Sequence, residues 1–269
     1  MSDLASFAST GGGARRTIAW SELDARALGE QGRRTVGATW LSRMKQEHLA
    51  VGAFALLARE LAEQGCDPVV LSLVTRAACD EVRHAEICRR FAVELLGADA
   101  VPASFRGLPK VPMHPGALPA DRVLFHVVEM CCMSETLTGV YFTEMLARTT
   151  DAVAREAIES LLEDEIDHGR VGWAYLAARA REGSLHGLAG ALPAMLARTF
   201  QAVLDAPRAP QKGATQADDA PHEACGYLGP RAAAEVYRRA LRDVILPGFE
   251  QLGIDLDASR ALVRERAWV

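Results

Sequence analysis

The chain carries the pentapeptide DEVRH at residues 80–84 and repeats its pattern as DEIDH at residues 164–168. In each copy a glutamate stands three residues before a histidine, so on a helix both side chains leave one face and can hold one metal ion. A single match of this kind in a chain with seven histidines can arise by chance. Two matches, each preceded by an aspartate and each with a glutamate on the preceding helix, predict a metal centre built from helices.

The partner glutamates are Glu47 and Glu135, which precede the motif glutamates Glu81 and Glu165 by 34 and 30 residues. In two antiparallel helices joined by a short turn, these separations bring the paired carboxylates to nearly the same level. For a turn near Gly65, the mismatch is roughly 3 Å at a rise of about 1.5 Å per residue. The predicted metal ligands, which also form the candidate catalytic set, are Glu47, Glu81, His84, Glu135, Glu165 and His168.

The donor set indicates the kind of metal. Four carboxylates roughly neutralise two divalent ions, and oxygen with imidazole nitrogen suits iron or manganese better than zinc or copper. The surrounding segments are apolar, and buried charges are costly without a counter-ion. Asp80 and Asp164 are predicted to accept the second ring proton of a motif histidine, on their own helix or across the bundle. An ion pair between Arg83 and Asp167 is a further hypothesis.

Residues near the motifs have plainer interpretations. Glu86, Glu129 and Glu144 are interpreted as solvated helix positions. Small residues one turn from Glu135 can leave a cavity for O2 or substrate, or can simply pack in the core. These small residues are Cys131, Thr138 and Gly139.

The composition favours an all-α fold, because alanine, leucine, arginine and glutamate dominate and no strand-like alternation occurs. Asp67 and Asp151 are predicted to cap helices. Five prolines between residues 98 and 119 exclude regular helix and indicate a long crossover. Two helical hairpins joined by such a crossover are the connectivity of a ferritin-like four-helix bundle. The predicted long helices span about residues 35–63, 68–96, 121–148 and 152–181.

The predicted organisation has three parts. Residues 1–17 contain a Gly-Gly-Gly run and form a flexible tail. Residues 18–183 form the bundle, and residues 184–269 form a helical extension that packs on it. Further helices are predicted near residues 191–205, 231–245 and 257–267, the second of them closed by Pro247.

Charge and composition exclude several classes of function. With 24% charged residues and a formal net charge of −5, the chain offers no basic field for nucleic acid. The first seventeen residues contain no apolar run of signal-peptide length, and nowhere do about 18 uncharged apolar residues occur together, so a cytoplasmic protein without a membrane partner is predicted. Six cysteines without C-x-x-C spacing indicate neither a zinc site nor a disulfide framework.

Residues 35–181 resemble the ferritin-like di-iron carboxylate superfamily. The Asp-Glu-x-Arg-His form at residues 80–84 is especially similar to its oxygen-activating branch, which includes hydrocarbon monooxygenase hydroxylases, acyl-carrier-protein desaturases and ribonucleotide reductase small subunits. Asp167 departs from the arginine usual in the second motif. Position 161 is not a histidine, which counts against a three-histidine arylamine N-oxygenase. The absence of a C-x-x-C segment counts against a rubrerythrin. The resemblance implies terminal ligands at Glu47 and Glu135, bridging ligands at Glu81 and Glu165, and one metal each for His84 and His168.

The resemblance implies a function as an O2-dependent di-iron oxidase or oxygenase with two iron ions and O2 as co-substrate. Hydroxylation, N-oxygenation, desaturation and oxidative cleavage of a small organic substrate all fit such a site. A reductase or ferredoxin would supply electrons, and a homodimer fits as well. The alternatives are an iron-binding ferroxidase without an organic substrate and a di-manganese or mixed-metal oxidase. An oxygenase predicts an apolar cavity beside Glu135, roofed by residues after 183.

Overall fold

The computed structural model describes residues 17–109, 111–112, 114, 117–206 and 220–269. All regular secondary structure within these ranges is helical, so the predicted all-α class is confirmed. The predicted flexible tail lies outside the described residues except for Thr17.

The first two long helices pack along each other as a hairpin. Helix α1 comprises Gly29–Glu63 and helix α2 comprises Pro68–Leu96. The predicted start of α1 was six residues late. The early start was not predicted because glycine lowers helix propensity in this segment. Gly32 is buried, and a Cβ on it would lie 2.9 Å from His222, so tertiary packing decides the conformation here. Asp67 caps α2 as predicted by accepting a 2.7 Å hydrogen bond from the Val69 amide.

The second hairpin follows the proline-rich crossover. Helix α3 spans Pro119–Arg148, and its middle segment, Val128–Glu135, has π-helical hydrogen bonding. Helix α4 comprises Ala152–Arg181, and the Asp151 carboxylate caps it by accepting a 2.8 Å hydrogen bond from the Ala154 amide. α4 packs against α3 along both its π-helical and its α-helical parts.

The four long helices enclose a common core. α2 also contacts α4, and the first part of α3 contacts α1, so each helix touches two others. Trp40 of α1 stacks on Phe91 of α2 with ring centroids 4.2 Å apart. Gly172 lets α4 approach α3 closely, because a Cβ at this position would clash with Cys131. The middle of the core is therefore shared by side chains from all four helices.

Within the described part of the chain, four further helices follow the second hairpin; the first and third of them pack on α3, and the last packs on the first. They are α5 (Leu188–Leu204), α6 (Ala220–Ala224), α7 (Pro230–Ala240, the π-helical turn Leu241–Ile245 and Leu246–Gln251) and α8 (Asp257–Glu265). Arg198 of α5 donates hydrogen bonds of 2.7 and 2.8 Å to Glu129 of α3. The prediction that Glu129 is solvated was wrong, because this side chain is buried and holds α5 against the π-helical segment.

The helix predicted over residues 231–245 does not end at Pro247, which corrects the prediction. The chain stays helical to Gln251 through the π-helical turn Leu241–Ile245. Pro247 is the second residue of the following α-helical segment, directly after the π-helical turn, where the hydrogen-bond pattern of the helix is already altered.

One helix in the described ranges, Pro119–Arg148, is long and apolar enough to cross a membrane by length and composition. Within its most apolar window, 67% is buried inside the protein. This is the burial expected of a core helix in a soluble protein.

Candidate metal centre

The structure brings all six predicted ligands together in the core. α1 supplies Glu47, the end of the π-helical segment of α3 supplies Glu135, and α2 and α4 each supply one Glu-x-x-His pair. All six side chains are buried. They form two groups whose ligand atoms lie within 4.8 Å of one another: Glu47, Glu81, His84 and Glu165 in one group, and Glu81, Glu135, Glu165 and His168 in the other. These buried clusters can hold metal ions.

Glu81 and Glu165 belong to both groups and lie between the two histidines. The Nδ1 atom of His84 is 3.3 Å from a carboxylate oxygen of each of them. The Nδ1 atom of His168 is 3.2 Å from Glu81, 3.7 Å from Glu135 and 3.8 Å from Glu165. The imidazole centroids are 5.9 Å apart. This arrangement provides one histidine for each of two cations, with two carboxylates able to span them.

Several ligand atoms have no hydrogen-bond partner among the described residues, although they are buried. Buried polar atoms are normally satisfied, and each exception needs an explanation. Here all of the unsatisfied atoms except Nε2 of His168, which faces Asp80, converge on the same small volume, and bound cations would satisfy them. These atoms are Oε2 of Glu81, both carboxylate oxygens of Glu165, Nδ1 of His84, and both ring nitrogens of His168. The residues therefore fit a two-metal centre.

The motif aspartates lie behind the histidines. Oδ2 of Asp164 is 3.2 Å from Nε2 of His84, and Oδ2 of Asp80 is 3.6 Å from Nε2 of His168. Across the α2–α4 contact, Asp80 therefore faces His168 from beyond hydrogen-bond distance, whereas Asp164 is hydrogen-bonded to His84. A proton held on Nε2 by the carboxylate leaves Nδ1 with a free lone pair directed at the carboxylate cluster.

Two arginines surround these aspartates. Arg83 is hydrogen-bonded to Asp164 and donates a 2.6 Å hydrogen bond to the Ser160 hydroxyl. Arg76 lies 3.3 Å from Asp80 and 3.7 Å from Asp164. The hypothesis of an Arg83–Asp167 pair was wrong, because Asp164 lies closer to Arg83. Asp167 instead lies 3.5 Å from Arg76.

The ligand set retains protons when no cation neutralises it. Burial and a neighbouring carboxylate raise the pKa of Glu47 to about 8, and burial with nearby carboxylates raises the pKa of Glu165. Burial opposes ionisation of Glu81, but the two imidazoles lower its pKa to about 2. Burial also opposes protonation of His168, yet the surrounding carboxylates raise its pKa to about 12. Metal binding must therefore displace protons from this site.

The predicted small residues near Glu135 behave differently from one another. Cys131 is buried and packs against the α4 backbone at Gly172. Gly139 is also buried, but a Cβ built on it would have no heavy atom within 4 Å outside its own helix turn. An internal space therefore lies beside Gly139. The ring of Phe54 lies 5.3 Å from that of His168 and makes the centre apolar on that side.

Arg43, Arg76 and Ser160 line or support the centre but were not singled out from the sequence. Arg76 precedes Asp80 by one helical turn, and Arg43 precedes Glu47 by the same interval. This i−4 spacing was the available signal. The role of Ser160 has no comparable signal, because it depends on the rotation of α4 against α2.

Comparison with known proteins found no match to this chain among family models, curated proteins or solved structures.

Proposed function

We propose that this protein is an O2-dependent oxidoreductase of the ferritin-like di-iron carboxylate kind, acting on a small organic substrate. The observation that carries the proposal is the sharing of Glu81 and Glu165 between two buried ligand groups, each completed by one histidine. A single-metal site needs no such sharing. Two bridging carboxylates and one histidine per ion are the ligand arrangement implied for the family that the sequence resembles.

Iron is the proposed metal because the donors are four carboxylates and two imidazoles. Two reduced irons would supply the electrons and the binding positions for O2. The protein's own residues orient the ligands and exclude water. Asp164 fixes the His84 ring, while Asp80 lies beside His168 and Phe54 covers it. A di-manganese or mixed-metal pair would use the same ligands.

An organic substrate is favoured over iron storage by the space beside Gly139 and by the extension. Gly139 follows Glu135 by one turn of α3, so the space adjoins the centre. Iron storage requires neither an internal cavity nor an additional helical layer. The proposed enzyme would take electrons from a soluble donor such as a reductase or ferredoxin.

The proposal is tested by metal analysis and O2 uptake on protein produced with iron. We expect about two irons per chain, and we expect the anaerobically reduced protein to consume O2 with a transient absorption change. His168→Ala, which lacks one proposed ligand, should lose both properties while remaining helical by circular dichroism.

Adding more Fe²⁺ distinguishes a ferroxidase from the proposed enzyme, which uses iron only as a cofactor. A ferroxidase would continue to oxidise and accumulate added Fe²⁺, whereas the proposed enzyme would stop at its two bound ions. Absence of bound metal after iron loading would refute a di-iron function and leave the clusters with a structural role.

A further inference from the structure

Arg43 is a cationic side chain beside the centre that the proposed ligand set leaves unused. It lies on α1 one turn before Glu47, so both side chains leave the same helix face. Its guanidinium carbon is 4.5 Å from the ring centroid of Phe142, 5.0 Å from that of Tyr141 and 6.0 Å from that of Trp40. We call these three rings the aromatic cage. Such contacts stabilise the faces of a guanidinium.

The edge of the same guanidinium lacks a partner. Arg43 donates no hydrogen bond to any residue in the described ranges. Arg83 and Arg198 differ in this respect, since Arg83 binds Asp164 and Arg198 binds Glu129. Because Arg43 is only partly buried, an external acceptor can reach its edge, and a carboxylate matches that edge with two parallel hydrogen bonds.

The surroundings of Arg43 favour its charged form. Burial opposes the charge, but the pKa of Arg43 is nevertheless raised above its ordinary value because Tyr141, Glu47, Cys88 and Tyr237 favour the cation. Tyr237 belongs to α7, so the extension contributes to the surroundings of Arg43. A positive group thus lies between the candidate centre and the extension.

One face of α3 runs from the candidate centre to the aromatic cage, with open space beside its middle residue. Glu135, Gly139 and Phe142 follow one another along the same face of α3. Gly139, in the middle, is the buried glycine at which a Cβ would meet no neighbouring heavy atom. Arg43 covers Phe142 at one end of this row, and the proposed ligand Glu135 lies at the other. One helical turn, roughly 6 Å, separates the level of Arg43 from that of the ligands.

We infer that Arg43 anchors a carboxylate group of the substrate, whose apolar part extends past Gly139 toward the metal centre. The substrate class is therefore a small carboxylic acid. The assignment rests on the proposed function for its role in oxidation, but the anion site itself can be measured without any reaction with O2.

The direct test compares hexanoate with its neutral isostere hexanamide by isothermal titration calorimetry on the iron-loaded protein. We expect hexanoate to bind at least about tenfold more tightly, because only the acid forms charge-assisted hydrogen bonds with the guanidinium. Arg43→Gln should abolish this preference. Arg34→Gln, an exposed change of equal charge on the same helix, should retain it.

Two further variants separate anchoring from folding. Arg43→Lys keeps the charge but loses the planar fork, so hexanoate should bind several-fold more weakly. Gly139→Leu should fill the internal space, weakening hexanoate while leaving acetate binding unchanged. Iron content and circular dichroism accompany each titration. If Arg43→Gln loses iron or helicity, Arg43→Lys and Gly139→Leu decide the result.

The inference is overturned if hexanoate and hexanamide bind equally, or if the folded Arg43→Gln or Arg43→Lys variant binds hexanoate as the unaltered protein does. Carboxylate binding directly to the metals would survive Arg43→Gln and disappear in His168→Ala. If the protein binds hexanoate through Arg43 but its reduced form takes up no O2, the proposed function fails while the anion site stands.

Discussion

Asp164 and Asp80 lie at 3.2 and 3.6 Å from the Nε2 atoms of histidines on the opposite helix. At the residue scale, these aspartate–histidine contacts join α2 and α4 through the same side chains that position the ligands. Arg83 and Arg76 in turn pair with these aspartates. The Asp164 carboxylate is therefore held on both sides, by Arg83 and His84, which fixes the orientation of the His84 ring before a metal binds.

Replacing Asp164 with Asn should weaken metal binding by about 10- to 100-fold. The amide cannot supply the negative charge that keeps the His84 ring oriented and basic, and it also loses the pair with Arg83. Competition with a chelator measures the affinity. Asp167→Asn, a half-exposed change of the same type on the same helix, should change it far less. Equal losses of metal affinity in both variants would contradict the role of Asp164 in orienting His84.

Glu81→Ala or His168→Ala should abolish binding of two metals while leaving most of the helicity. Glu81 belongs to both ligand groups, whereas His168 is the only imidazole of its group. Metal analysis with circular dichroism checks both variants, and Glu86→Ala serves as an exposed control on α2. A Glu81 or His168 variant that still bound two ions per chain would show that the ligand assignment is incorrect.

The π-helical segment of α3 is the element that carries Glu135. The hydroxyl of Ser134 donates a 3.0 Å hydrogen bond to the Glu129 carbonyl, and the hydroxyl of Thr136 reaches the Cys131 carbonyl at 3.5 Å. Both contacts span five residues and satisfy carbonyls where the normal helical ladder is altered. π-Helical turns often occur at functional sites, and this one ends at a proposed ligand.

Gly172→Ala should destabilise the protein by about 1–3 kcal/mol, because the new methyl group would overlap Cys131 across the α3–α4 contact. Gly190→Ala provides the matched control on α5. Its position is exposed and open, so the better helix propensity of alanine should stabilise the protein by about 0.5–1 kcal/mol. Urea denaturation measures both variants. Stabilisation by Gly172→Ala would contradict the close helix contact.

At the scale of the whole molecule, one buried cluster of charges links all four long helices. The clustered carboxylates and imidazoles lie far from solvent and depend on bound protons or cations for neutrality. A second, smaller charged contact, between Arg198 and Glu129, joins α5 of the extension to α3. Stability should therefore depend on pH and on metal more strongly than in a bundle with an apolar centre.

The metal-free protein should lose stability as pH rises from about 6.5 to 8. In the folded state Glu47 has a pKa of about 8 and His168 one of about 12, against reference values of 4.5 and 6.5. Across this window both groups therefore hold protons in the folded chain that the unfolded chain has largely released. Stability falls by roughly 1–3 kcal/mol per pH unit. The lowered pKa values of Glu81 and Asp164 act only at acidic pH.

Chemical denaturation at several pH values tests this dependence, with iron-loaded protein as the comparison. Bound metal displaces the protons, so the loaded protein should show a much weaker slope. A metal-free protein whose stability increased across the same window would contradict the buried protonated cluster.

Much of the helical layout could be predicted because its signals are local. Asp67 and Asp151 cap the helices at the predicted positions. The start of α1 and the end of α7 could not be predicted from propensity, because buried contacts of Gly32 and a π-helical turn before Pro247 decide them.

The sequence by itself determined the spacing of the Glu-x-x-His pairs and their levels along the hairpins, because helical rise and periodicity are properties of the backbone. Only the tertiary structure decided that each motif aspartate faces the histidine of the opposite helix, that Glu129 is buried against Arg198, and that Arg43 lies in an aromatic cage. These contacts join different helices. They depend on how each helix is rotated and shifted against its neighbours, and close packing of the whole core sets that arrangement.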